Sequence, residues 1–109
     1  MANFFRNKVV KEVGTQLVEV VRLPDNSRAT VIGLSIANLT EGNVLASVYI
    51  EDNNANVGHY IKDVIISPNT TLKALNGGEK IILAPENALF VSSNQPDGID
   101  VVLSYVEIV

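Results

Sequence analysis

The chain has 109 residues, 47% of them hydrophobic and 18% charged, and its twelve acidic and eight basic side chains leave a net charge of −4. That length holds one domain with a single core and leaves no room for a second, and eight scattered basic residues exclude a patch that tracks a phosphate backbone, so no nucleic-acid partner is expected. The absence of cysteine excludes disulfide staples and thiolate metal sites, and it suits a reducing compartment.

Residues 1–8 read as an N-terminal arm, with Phe4 and Phe5 beside Arg6 and Lys8 ahead of the first regular run. The two rings either cover one end of the core or plug a pocket on a neighbouring subunit. No long apolar stretch follows the charges, so the segment is not a secretory signal. No run elsewhere approaches the roughly eighteen apolar residues of a spanning helix, which predicts a soluble protein without a membrane partner.

Residues 9–109 are expected to form a single β-sandwich domain. Val9 to Val13 and Gln16 to Leu23 read as strands, or as one long strand bent at Gly14. A helix competes here, but six valines favour a pleated surface, where β-branched side chains keep their packing without loss of rotamers. Leu23-Pro24-Asp25-Asn26-Ser27 is a turn, because proline presets one dihedral and Asp or Asn closes on its own backbone.

Ala29 to Leu39 alternates, with Ile32, Leu34 and Ile36 predicted on one face and Val31, Gly33, Ser35 and Ala37 on the other. Thr40-Glu41-Gly42-Asn43 reads as a hairpin turn into Val44 to Glu51, so these two runs are expected to pair antiparallel. Asp52-Asn53-Asn54-Ala55-Asn56 is the most polar stretch and a surface loop. Strands resume at Gly58 to Ile66, Thr71 to Leu75, Lys80 to Leu83, Ala88 to Ser92 and Ile99 to Ile108, giving eight or nine in all. Short apolar runs stopped by turn clusters at this spacing predict an all-β, antiparallel two-sheet sandwich, jelly-roll or immunoglobulin-like in connection.

A strand with one wet face alternates apolar with polar residues. Several runs here do not: Ile61 with Val64, Ile65 and Ile66, then Ile81 to Leu83, and Val101 to Leu103 carry apolar groups on both faces. In a two-layer domain only one face of each sheet is buried by the fold, so neighbouring subunits are expected to cover part of the rest. The expected interface residues are Phe4, Phe5 and Arg6 in the arm and Ile99, Val101, Leu103 and Tyr105 in the last strand.

No catalytic, cofactor or metal site is expected. His59, the one imidazole, has no nucleophile or orienting acid at a recognisable spacing. Glu51 to Asn56 is rich in oxygen but lacks the acid spacing of a calcium loop. Asn76-Gly77-Gly78 between apolar runs signals a hairpin turn and not a phosphate loop. Asn38-Leu39-Thr40 and Asn69-Thr70-Thr71 fit the glycosylation pattern, which carries no weight without a signal peptide. Asn94, Gln95 and Asp97 form a polar tip with no aromatic nearby to stack a sugar. With Asp52 to Asn56 they are the candidate loops for a carbohydrate- or host-receptor-binding module.

The C-terminal half carries a resemblance. Tyr60-Ile61-Lys62-Asp63-Val64-Ile65-Ile66-Ser67-Pro68-Asn69, then Ile81-Ile82-Leu83-Ala84-Pro85-Glu86-Asn87, then the closing Ser104-Tyr105-Val106-Glu107-Ile108 resemble small β-rich virion structural proteins of tailed bacteriophages, including phages of cyanobacteria and marine bacteria. The resemblance implies a non-enzymatic structural role at the neck or tail, or as a decoration bound to the capsid. It also implies a homo-oligomer whose partners are its own copies and other virion proteins, made in the host cytoplasm and located in the virion.

Overall fold

Runs of Val and Ile become strands because β-branched side chains pack well on a pleat, and the turn clusters between them decide where each ends. In the computed structural model, which describes residues 2–75 and 79–109, the strands are β1 (Asn3–Val13), β2 (Val18–Arg22), β3 (Arg28–Asn38), β4 (Val44–Glu51), β5 (Val57–Ile66), β6 (Thr71–Lys73), β7 (Ile81–Leu83), β8 (Ala88–Ser93) and β9 (Ile99–Ile108). The Asn76-Gly77-Gly78 turn expected from the sequence lies outside the described residues.

The strands form two antiparallel sheets. In one, the order is β1-β9-β3, with β6 and β7 both paired to the far edge of β3; in the other it is β2-β8-β4-β5. Counting β6 and β7 as one interrupted strand makes each sheet four-stranded. The chain then crosses repeatedly between sheets in the order of a jelly roll built from two Greek keys.

This topology corrects two sequence expectations. The run through Ala29 to Leu39 does not pair with Val44 to Glu51. β3 and β4 lie in different sheets, and Thr40 to Asn43 is a corner between them. Buried Asn38 holds that corner: its Nδ2 donates to the carbonyls of Gly42 and Ile66, both at 2.9 Å, and of Ser67 at 3.1 Å, while its Oδ1 accepts from Thr40 N at 2.8 Å. The first strand also begins earlier than expected, at Asn3 and not Val9. Residues 3–8 pair with β9 from Asn3 opposite Ile108 to Lys8 opposite Leu103.

The core lies between the sheets, filled by Val31, Leu34 and Ile36 of β3, Val44, Ala46 and Val48 of β4, Leu83 of β7, Leu89 and Val91 of β8, and the alternate residues of β9. The molecule measures 45 × 27 × 21 Å. Its thinnest dimension holds two sheets packed about 10 Å apart with their outward side chains, so no third layer covers either outer face.

In the turn that joins β8 to β9, a Cβ on Gly98 would lie 3.0 Å from the Gln95 carbonyl oxygen and 3.2 Å from Ser93 Oγ, so a side chain there would force the turn to shift.

Candidate functional site

Strand alternation decides which residues of β9 can meet another molecule. Ile99, Val101 and Leu103 are fully buried and Tyr105 is 3% exposed. These four belong to the protomer's own core, which corrects their assignment to an interface. Burial pushes the Tyr105 phenol above its ordinary pKa. The outward residues of β9 are Val102, Ser104 and Val106.

These residues sit at the centre of an apolar outer face. Val106 lies between Phe5 of β1 and Thr30 of β3, and Thr30 pairs in turn with Ile82 of β7. Two residues along, Ser104 lies between Asn7 and Gly33; two further, Val102 lies between Val9 and Ser35. Phe5 is 81% exposed, Ile82 67%, Val9 66%, Ile32 47% and Val102 39%. The middle row is small, and a groove of about 540 Å³ opens there, lined by Phe5, Arg6, Asn7, Lys8, Ile32, Ser104 and Tyr105. Charges border the apolar side chains, with Lys73 opposite Ser35, Asp100 opposite Ala37 and Arg28 opposite Ile108.

Val31 and Ile32 are the residues that sequence reasoning placed on the wrong faces. The β3–β9 register shifts between Val31 and Gly33, a bulge that turns Ile32 outward while Ala29 and Val31 before it, and Leu34 and Ile36 after it, stay inside. The sequence signal that did point to this face was the doubly apolar writing of Ile81 to Leu83 and Val101 to Leu103.

The outer face of the other sheet pairs most of its polar side chains with one another and leaves Val57 and Ile65 of β5 exposed. Arg22 pairs with Glu19 at 2.8 Å and Glu51 at 2.7 Å, and its guanidinium lies 5.9 Å from the centre of the Phe90 ring. These carboxylates hold the Arg22 pKa above its ordinary value, the Glu51 hydrogen bond contributing most. Tyr49 is paired between Phe90 and His59, with 4.4 Å between the Tyr49 and His59 ring centres, and its hydroxyl is 3.4 Å from Ser92 Oγ. Ser47 Oγ accepts from the Asp63 amide at 2.9 Å. His59 is therefore one rung of a ring ladder on β5.

The sheet edges are interrupted. In β1 the ladder shifts between Val10 and Val13, where Glu12 has φ 56° and donates its amide to Asp100 Oδ1 at 2.8 Å. Arg6 and Lys8 lie on the inward side of this strand, and Arg6 pairs with Glu107 at 2.7 Å while lying 4.9 Å over the Phe4 ring. β5 shifts register twice against β4 and carries Asp63 at φ 51°. β2 is five residues long with one shift, and β6 and β7 are three residues each. Bulges, inward charges and short strands are the usual protections against edge-to-edge pairing.

The remaining polar segments have structural partners. The Asp52 carboxylate accepts from the amides of Asn54 at 2.9 Å and Asn56 at 3.0 Å and from Asn56 Nδ2 at 3.2 Å, led in effect by the Asn56 amide, which holds its pKa below the usual carboxylate range. Among the described residues no group of three His, Asp or Glu is placed to hold a metal ion. The loop 52–56 joins β4 to β5, whereas Asn94 donates its backbone amide to the Leu45 carbonyl at the start of β4. The two candidate binding loops thus lie at opposite ends of the sandwich and do not share a surface.

No family model and no curated protein sequence matches this chain. Solved structures do. A chain from the acidic stable capsid structure of Helicobacter pylori bacteriophage KHP30 superposes with a TM-score of 0.56 at 10% identity, over 100% of this chain and 89% of that one. A chain from the endospore appendages of Bacillus, a family of disulfide-linked pili, superposes with a TM-score of 0.56 at 4% identity, over 96% and 86%. At these identities the likeness is one of fold: a two-sheet sandwich spanning nearly the whole of each chain.

Proposed function

We propose that this chain is a non-enzymatic structural component of a tailed-phage virion that works by packing its sandwich against neighbours. One observation carries the reading. A sandwich that protects its edges elsewhere leaves Phe5, Val9, Ile32, Ile82 and Val102 exposed together on one face. Clustered apolar surface of that kind marks an interaction site.

The whole-length likeness to a chain of a phage capsid structure supports the virion reading, as does the resemblance of the C-terminal half to phage structural proteins. The pilus likeness does not extend to that assembly's chemistry, since disulfide linkage needs cysteine and this chain has none. Within the particle the reading places the protein at the neck or tail, with capsid decoration as the alternative position; its partners are its own copies and other virion proteins.

The test is size-exclusion chromatography with light scattering, joined to co-sedimentation with purified phage particles and imaging of the labelled protein on them. A multimer, or stable binding at one location on the particle, is expected. A clean monomer that binds no particle would overturn the proposal.

A further inference from the structure

Resting on that structural reading, we infer that the apolar outer face of the β1-β9-β3 sheet is covered by the same face of a second copy, related by a two-fold axis near Ser104. Three observations select this occupant.

The first is shape. The face carries both a projecting group, Phe5 at 81% exposure, and beside it a groove of about 540 Å³ lined by Phe5, Arg6, Asn7, Lys8, Ile32, Ser104 and Tyr105. An isologous interface requires one patch that is complementary to itself, and a projection beside a groove on one face meets that requirement.

The second is charge. Each copy carries −4, so two copies repel wherever acidic surfaces meet, whereas the three central rows of this face carry no acidic side chain, their one charge being Lys73 at the end of the Val102 row.

The third is area. Four strands spaced about 4.8 Å apart over about eight residues, the rows flanking the three central ones included, present roughly 500 Å² per copy. The two copies together bury about 1,000 Å², the threshold for a specific interface. The edges, protected by bulges and inward charges, offer no equivalent.

The test compares the intact chain with Ile82→Lys on this face and Ile65→Lys on the opposite sheet, a residue of similar exposure at 63%, by sedimentation and particle binding, with circular dichroism to confirm folding. Because the chain has no cysteine, a single Ser104→Cys variant treated with a short bismaleimide reports proximity across the axis independently. The expected result is a dimer of the intact chain and of Ile65→Lys, cross-linked through Ser104→Cys. Ile82→Lys is expected to raise the dimer dissociation constant on the order of 100-fold or more, since symmetry buries two unpaired ammonium groups. Multimers that survive Ile82→Lys and fail with Ile65→Lys would overturn the inference while leaving the structural reading in place. So would a monomer whose particle binding is lost with Ile82→Lys, which makes another virion protein the occupant. A monomer that binds no particle would overturn both.

Discussion

The two outer faces of this sandwich are built from the same kind of strand and finish differently. On the β2-β8-β4-β5 sheet Arg22 reaches two carboxylates, the Tyr49 and His59 rings meet across β4 and β5, and Ser47 holds Asp63. That face satisfies these polar groups among themselves, and its exposed apolar residues, Val57 and Ile65, lie on the edge strand β5. On the β1-β9-β3 sheet the corresponding positions are Phe5, Val9, Val102, Val106 and Ile82, which have no polar valence to satisfy and remain in water until another surface arrives. Assembly surfaces can therefore be recognised by contrast within one molecule, since composition as a whole is the same background for both.

Substitutions at neighbouring positions of β9 cut across that contrast most sharply. Leu103 is fully buried and Val102 is 39% exposed. Leu103→Ala is expected to cost about 3 kcal/mol of stability, in the range for large-to-small core changes, read as a lower midpoint in chemical denaturation. Val102→Ser should shift the same midpoint by no more than about 0.5 kcal/mol while weakening self-association. Equal losses from both would erase the distinction between inside and outside on this strand.

A second expected effect concerns the corner that keeps the two faces on opposite sides of one core. Asn38→Ala removes the donor to Gly42, Ile66 and Ser67 and the acceptor for Thr40. A loss of about 2 kcal/mol follows from leaving partly buried carbonyls without a donor, again measured by denaturation. Gly98→Ala should be destabilising too, because its new methyl group would meet the Gln95 carbonyl oxygen. On the polar face, Arg22→Ala should lower thermal stability slightly at low salt and less at high salt, since its two partners are solvent-exposed pairs that salt screens.

The smallest effect is a pH dependence. The folded Asp52 carboxylate has a pKa below its ordinary value because three N–H groups donate to it. Its contribution is complete above the unfolded carboxylate pKa and is lost as pH falls through the depressed folded value. Titrating the Asp52 side chain by NMR should give a midpoint below that of an unstructured aspartate. An ordinary midpoint would show that the 52–56 loop does not hold its carboxylate.

Much of this fold is legible in the sequence, and the failures have physical causes. The starts and ends of β5, β7, β8 and β9 fall within a residue or two of the turn clusters that Pro68, Pro85 and Gly98 announce, because proline and glycine act locally. Pairing is not local. Thr40-Glu41-Gly42-Asn43 looks like a hairpin turn, yet Asn38 ties the following chain to β5 and sends it to the other sheet. Facing failed at Ile32 because one bulged residue inverts the alternation beyond it. In β9, Val101, Val102 and Leu103 are chemically alike, so periodicity could show that both faces are apolar but not which one the core takes. That left Ile99, Val101, Leu103 and Tyr105 as expected contacts when Val102 and Val106 hold the outward positions. Phe4, Phe5 and Arg6 were visible as unusual; only the register with β9 shows that Phe5 joins the apolar face while Arg6 pairs with Glu107.

The position of β9 between β1 and β3 has a consequence for biogenesis. Once made, β1 can find β9 only after about ninety further residues have been polymerised, and closure across so long a loop is slow. Until then the greasy strand β1 waits without that partner in a crowded cell. Trimming the last ten residues would accordingly remove a middle plank from its sheet, stranding β1 and splitting the sandwich along its length.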